Sequence, residues 1–144
     1  MTSHLEQAEK IARAAHAGQY RRDGKTPYIK HIEDVVSRLE GEDEQTVAWL
    51  HDTVEDTKVT IEELREEFPI HIWYAVSQLT HEPGSPYHET YIHSIGQNPL
   101  ARHVKMADIL SNLSDKPNER QVKKYAKALG TLLCYEVECI TTKT

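Results

Sequence analysis

The stretch WLHDTVEDTKVT, residues 49–60, sets His51 beside Asp52 and follows them one helical turn later with Glu55 and Asp56. A segment flanked by Trp49, Leu50 and Val54 thus carries four ionisable groups within six residues. On a helix, positions i, i+3 and i+4 share a face. His51 and Glu55 stand at i, i+4, Asp52 and Glu55 at i, i+3, and Asp52 and Asp56 at i, i+4. One continuous helix through DEQTVAWLHDTVEDT therefore lines all four along one side. The adjacent pair His51–Asp52 splays by about a quarter turn or a little more, which suits two groups gripping one ion from different directions. Two readings stand at this point. The four groups are solvated surface, with Asp56 capping the loop that follows, or they hold something charged.

Working outward, the chain reads as helices joined by short loops. HLEQAEKIARAAHAG spaces Leu5, Ala8, Ile11, Ala12 and Ala15 along one face and stops at Gly18. QYRRDGKTP is a polar loop carrying Arg21, Arg22 and Lys25. YIKHIEDVVSRLEG sets Ile32, Val35, Val36 and Leu39 on one stripe and ends at Gly41. Thr60 and Glu63 are spaced as a capping box, and Pro69 suits the first turn of the next helix. EPGSP breaks the pattern, and YHETYIHSIG reads as a short helix. Asn98 and Pro99 open another, and a last one runs from about Asn118 towards Ile140. No run alternates with period two, so no strand is expected. The fold class is all-α, a compact bundle of about seven or eight helices in a single domain, residues 1–144.

With 144 residues, 38% of them hydrophobic, the chain can bury a core without staples. It shows no apolar run long enough for a membrane span. Its polar start does not read as a signal peptide, which points to the cytoplasm. The net charge of −6 argues against a general nucleic-acid partner, which would need a basic field. Cys134 and Cys139 lack disulfide or zinc-site spacing and read as reduced and structural. Nine histidines enrich the chain for metal or acid–base chemistry, although His4, His71, His81, His88 and His93 show no partner pattern.

A divalent ion needs more donors than His51 and Asp52. His31 sits in the apolar stripe region of YIKHIEDVV, and Asp108 stands among Met106, Ile109 and Leu113 in VKMADILSNL. A carboxylate on a face that should be buried is costly unless it is paired or binds metal. Asp108 has an alternative partner in Lys105, one turn away. A mixed set of His and carboxylates suits manganese, iron or zinc.

The motifs AHAGQYRRDGKTPYIKH, HDTVEDT and VKMADILSNL resemble the HD-domain superfamily of metal-dependent phosphohydrolases. More closely, they resemble the hydrolase domain of the RelA/SpoT alarmone enzymes and the stand-alone small alarmone hydrolases. The resemblance covers about Ala15 to Leu113. It implies an HD-domain bundle and one divalent metal, normally Mn2+, held by His31, His51, Asp52 and Asp108. It implies that Glu55 and Asp56 position and deprotonate the attacking water. Arg21 matches a residue that packs on guanine, with Arg22 beside it, and Asn112 matches a residue near the sugar and base. Lys25 and Lys105 are further cations able to offset phosphate charge. The implied activity is removal of the 3′-pyrophosphate of (p)ppGpp, a small-molecule nucleotide. Departures are visible: Ile109 stands where the family has Arg, Asp115 where it has Thr, and ETYIHSIGQNPLARH replaces a cationic helix. They keep open a phosphohydrolase acting on another nucleotide or dinucleotide phosphate. A non-enzymatic nucleotide sensor is the third reading, disfavoured because a sensor has no use for the acidic pair.

Overall fold

A computed structural model describes residues 2–142, with side chains through residue 138. The helices are α1 (His4–Ala15), α2 (Ile29–Ser37), α3 (Glu42–Leu50), α4 (Thr53–Asp56), α5 (Ile61–Glu67), α6 (Ile70–Leu79), α7 (His93–Gly96), α8 (Pro99–Leu113) and α9 (Glu119–Thr142). A π-helical segment, Tyr87–Ile92, runs directly into α7. If α4 is counted as an extension of α3, and α7 of the π segment, the described residues hold eight helical units. The all-α class holds: the described residues form no strand, and Tyr20 and Pro27 make an isolated bridge that closes the α1–α2 loop.

Local sequence sets most boundaries. Ser3 accepts from Glu6 N–H and opens α1. Thr60 accepts from Glu63 N–H at 3.2 Å. Asn98 accepts from Leu100 N–H, with Pro99 in the first turn of α8. Asn118 and Gln121 exchange bonds with each other's main-chain N–H at 2.9 and 3.0 Å, a reciprocal cap that starts α9.

The expected continuous helix through residue 56 is broken. His51 N–H reaches only Ala48 O, at 3.4 Å, and α-helical bonding resumes with Asp56 N–H to Asp52 O at 3.0 Å. Side chains take the released carbonyls: His51 Nδ1 donates to Ala48 O at 2.6 Å and Thr53 Oγ1 to Leu50 O at 2.7 Å. This competition with the main-chain ladder ends α3 where the site begins.

α3 lies at the centre, packed by α1, α2, α6 and α8. Val47, Ala48 and Leu50 are fully buried there with Ala8 and Ala12 of α1 and Ile32 and Val35 of α2. α2 stops at Ser37, short of the Gly41 boundary expected from the sequence. α9 docks on α7, α8 and the π segment. Arg102 Nε donates to Glu136 at 2.7 Å, Arg102 Nη1 donates to Gly96 O at 2.7 Å, and His103 bridges Glu44 and Glu136. The approach at Gly96 is close: a Cβ there would lie 2.3 Å from the Tyr135 ring. Cys134 is free as expected, but it is exposed and so not a core residue. The Cys139 side chain lies outside the described residues.

Candidate metal centre and its cavity

α2 delivers His31 in its first turn, the α3–α4 break delivers His51 and Asp52, and α8 delivers Asp108. Their donor atoms lie within 4.8 Å of one another. His51 Nε2 is 3.2 Å from Asp52 Oδ2 and 3.4 Å from Asp108 Oδ1, while His31 Nε2 is 2.9 Å from Asp108 Oδ1. His31, His51 and Asp108 are buried.

The outer contacts orient this set for a cation. The Ala48 carbonyl can only accept, so Nδ1 of His51 carries a proton and Nε2 is the nitrogen left to face the carboxylates. That Nε2 is buried and has no hydrogen-bond partner. Behind His31, Nδ1 meets Ser111 Oγ at 3.1 Å, and the Ser111 hydroxyl in turn helps hold the Asp34 carboxyl below its ordinary value, against burial, which raises it. Tyr28 donates to Asp52 Oδ2 at 2.5 Å. Burial, then the Asp52 charge, pushes the Tyr28 phenol far up, so it stays a donor. Lys105 Nζ donates to Asp108 Oδ2 at 3.0 Å, and Asn112 Nδ2 to Asp108 Oδ1 at 3.2 Å. Asp108 thus pairs with Lys105 through one oxygen, as one sequence reading expected, and turns the other towards the cluster.

Burial pulls His51 down, but the Asp52 and Asp108 carboxylates outweigh it and hold the imidazole well above its ordinary pKa. Burial raises Asp52, and His51 more than reverses this, leaving it at about 2. Burial likewise opposes ionisation of Asp108, yet Lys105 and the two histidines keep it well below the carboxylate range. A divalent ion that displaces the Nε2 proton takes its place between the two carboxylates, so the donor set fits a divalent metal.

The cluster opens into a cavity of about 430 Å³. Glu55 and Asp56 line it, and each offers an oxygen within 4.8 Å of Asp52. Glu55 Oε1 accepts from His81 N–H at 2.6 Å. Asp56 is pushed up to about 6, first by burial and then by the Asp52 and Glu55 charges. Gln19 fixes the end of α4: it accepts from His16 Nδ1 at 2.7 Å and donates to Asp56 O at 2.9 Å. His16 and Gln19 belong to the motif AHAGQ, but spacing alone gave them no role.

The expected substrate contacts divide. Asn112 lines the cavity. Arg21 lies on the other side of His31, in a smaller cavity, where it donates to Asp115 at 2.7 Å and to Asn112 at 3.4 Å. Arg22 and Lys25 are exposed on the loop and line neither cavity. Asp115, which stands where the family has Thr, is paired with Arg21. The opposite wall holds Tyr87 and Tyr91 from the π segment and Lys124 and Tyr125 from α9. The i, i+4 spacing of Tyr87 and Tyr91 is a usable sequence signal, whereas Lys124 has none.

No family model matches the chain. The human guanosine-3′,5′-bis(diphosphate) 3′-pyrophosphohydrolase MESH1 is 37% identical over 122 residues, covering 77% of this chain and 68% of that protein. The Danio rerio MESH1 is 35% identical over 125 residues, covering 79% and 69%. This chain belongs to the MESH1 family of HD-domain alarmone hydrolases. A probable GTP pyrophosphokinase of Mycobacterium leprae is 35% identical over 144 residues, which cover 89% of this chain and 18% of that larger protein. A solved structure of a metazoan SpoT ortholog superposes with a TM-score of 0.74 at 24% identity, over 92% of this chain and 86% of that one. The superposition establishes the HD-domain fold of this MESH1 relative.

Proposed function

We propose that this chain is a single-domain metal-dependent hydrolase that removes the 3′-pyrophosphate of guanosine (p)ppGpp, with one Mn2+ held by His31, His51, Asp52 and Asp108. MESH1 relatives bear the name of that reaction. The observation that carries the reading is the cavity shared by Glu55, Asp56 and the four donors. When bound, a divalent ion supplies Lewis acidity at the phosphoryl oxygen and lowers the pKa of water. Glu55, oriented by His81 N–H, accepts the proton of the attacking water. Water adds to the phosphorus next to O3′, the P–O3′ bond breaks, and the proton returns to O3′, giving GDP or GTP and pyrophosphate. Asp56, whose proton affinity is raised by burial and then by the Asp52 and Glu55 charges, relays the proton between Glu55 and solvent. Asn112 contacts the nucleoside, and Arg21, Arg22 and Lys25 lie on its approach. The setting that this reading implies is alarmone turnover in the cytoplasm.

One observation favours a second reading, an HD phosphohydrolase for another nucleotide or dinucleotide phosphate: Arg21 is already engaged by Asp115. Purified protein with Mn2+ is assayed against ppGpp, common nucleotides and dinucleotide cofactors, with pyrophosphate and orthophosphate measured separately. Pyrophosphate with GDP from ppGpp is the expected result. Untouched ppGpp with orthophosphate from another nucleotide transfers the assignment to the second reading.

A further inference from the structure

Beyond the four donors, two ammonium groups and one hydroxyl face the same cavity with unequal partners. Asp108 turns Oδ1 to His31 and Oδ2 to Lys105, so Lys105 stands one carboxylate away from the metal centre. Its Nζ lies 5.4 Å from the Tyr91 ring centre and 6.0 Å from that of Tyr87. Lys124 Nζ lies 4.2 Å from the Tyr87 ring centre. No carboxylate among the described residues forms an ion pair with Lys124. Tyr87 lines this space, and its hydroxyl is buried without a hydrogen-bond partner. Burial, and then the Lys105 charge, lowers the Lys124 pKa, and the Glu55 and Asp108 carboxylates oppose the shift. The segment before α8 supplies no substitute, because Arg102 is bound to Glu136 and Gly96 O, and His103 to Glu44 and Glu136.

We propose that Lys105, Lys124 and the Tyr87 hydroxyl form a subsite for the terminal phosphate of a 3′-diphosphate, the one that is not attacked, and so select diphosphate over monophosphate esters. This rests on reading the cavity as a 3′-pyrophosphohydrolase site. The order along the wall fits it: the attacked phosphorus sits at the donor cluster, Lys105 follows beyond Asp108, and Lys124 lies against the Tyr87 ring. A phosphate there satisfies the orphaned hydroxyl and separates the two like charges. Cations from α8 and α9 thereby replace the cationic helix that the sequence lacks.

Inorganic pyrophosphate and orthophosphate, as competitors for the manganese-loaded protein, test the subsite in wild type, Lys124→Ala and Tyr87→Phe. Thermal midpoint and metal content are checked before and after each titration. Wild type is expected to bind pyrophosphate at least about tenfold more tightly than orthophosphate, and each variant to lose roughly three- to tenfold for pyrophosphate alone, the loss of one hydrogen bond to a charged group. No preference in wild type, or an equal loss for both anions, overturns the subsite. Neither anion is a nucleotide, so the outcome is separate from the substrate assignment. A protein that ignores ppGpp yet shows the Lys124- and Tyr87-dependent preference keeps the subsite and loses the alarmone reading; one that hydrolyses ppGpp without the preference does the reverse.

Discussion

The Ala48 carbonyl accepts the Nδ1 proton of His51 at 2.6 Å, one turn back along the chain. That bond directs an unpartnered Nε2 at the carboxylates of Asp52 and Asp108. Chelation should therefore abolish turnover, and manganese should restore it. His51→Ala should lose stoichiometric metal, measured by elemental analysis after gel filtration. Tyr28→Phe, which removes only the bond to Asp52, should weaken metal affinity by about 10–100-fold. Full activity in a metal-free preparation would sink the assignment.

Glu55→Gln preserves the acceptor for His81 N–H while removing the base. It should keep its metal and lose roughly two to four orders of magnitude in kcat. Loss of the ion along with activity would make Glu55 a ligand instead.

Asp56 carries the pH dependence. Its folded value of about 6 lies above its ordinary 3.8, so the stability it contributes is complete below 3.8 and is lost as pH rises through 6. Metal-free Asp56→Asn should therefore be more stable than wild type at pH 8, by on the order of 1 kcal/mol after screening of this exposed carboxyl, and the difference should vanish near pH 4. Urea denaturation at both pH values measures it. In the metal-loaded enzyme the cation offsets the Asp52 charge, so kcat/KM is expected to fall on acidification only below about 6.

Asp115→Thr releases Arg21 from a 2.7 Å ion pair. If Arg21 stacks on a guanine, the freed guanidinium should lower KM for ppGpp several-fold, and Arg21→Ala should raise it by a comparable factor. Unchanged KM in both variants would remove Arg21 from substrate recognition.

Gly96→Ala forces a methyl group into the Tyr135 ring, where a Cβ has only 2.3 Å. The expected cost is about 1–3 kcal/mol, read from the urea midpoint. An unchanged midpoint would show that α9 can shift freely on α7.

The four donors were legible because each is a polar residue set in an apolar stripe, and three separate helical segments each offered one or two. The α1 stripe was legible too, with Ala8 and Ala12 fully buried as spaced. The break at His51–Asp52 was not. It depends on the His51 ring and the Thr53 hydroxyl capturing carbonyls, a contest invisible to periodicity. Arg21 was legible as a cation, but its partner lies 94 residues away in sequence. Lys124 carries no local signal, because its position depends on how Arg102, His103 and Gly96 seat α9.

The cap at Asn118 and Gln121 has a consequence for how the molecule matures. All four metal donors and the acidic pair precede it in the chain, whereas Lys124 and Tyr125 follow it. During synthesis the ion-binding half of the site can assemble while the wall opposite is still unmade. On the proposed assignments, a nascent chain would hold metal before it could discriminate among phosphate esters, and recognition would be acquired only when α9 emerges and docks.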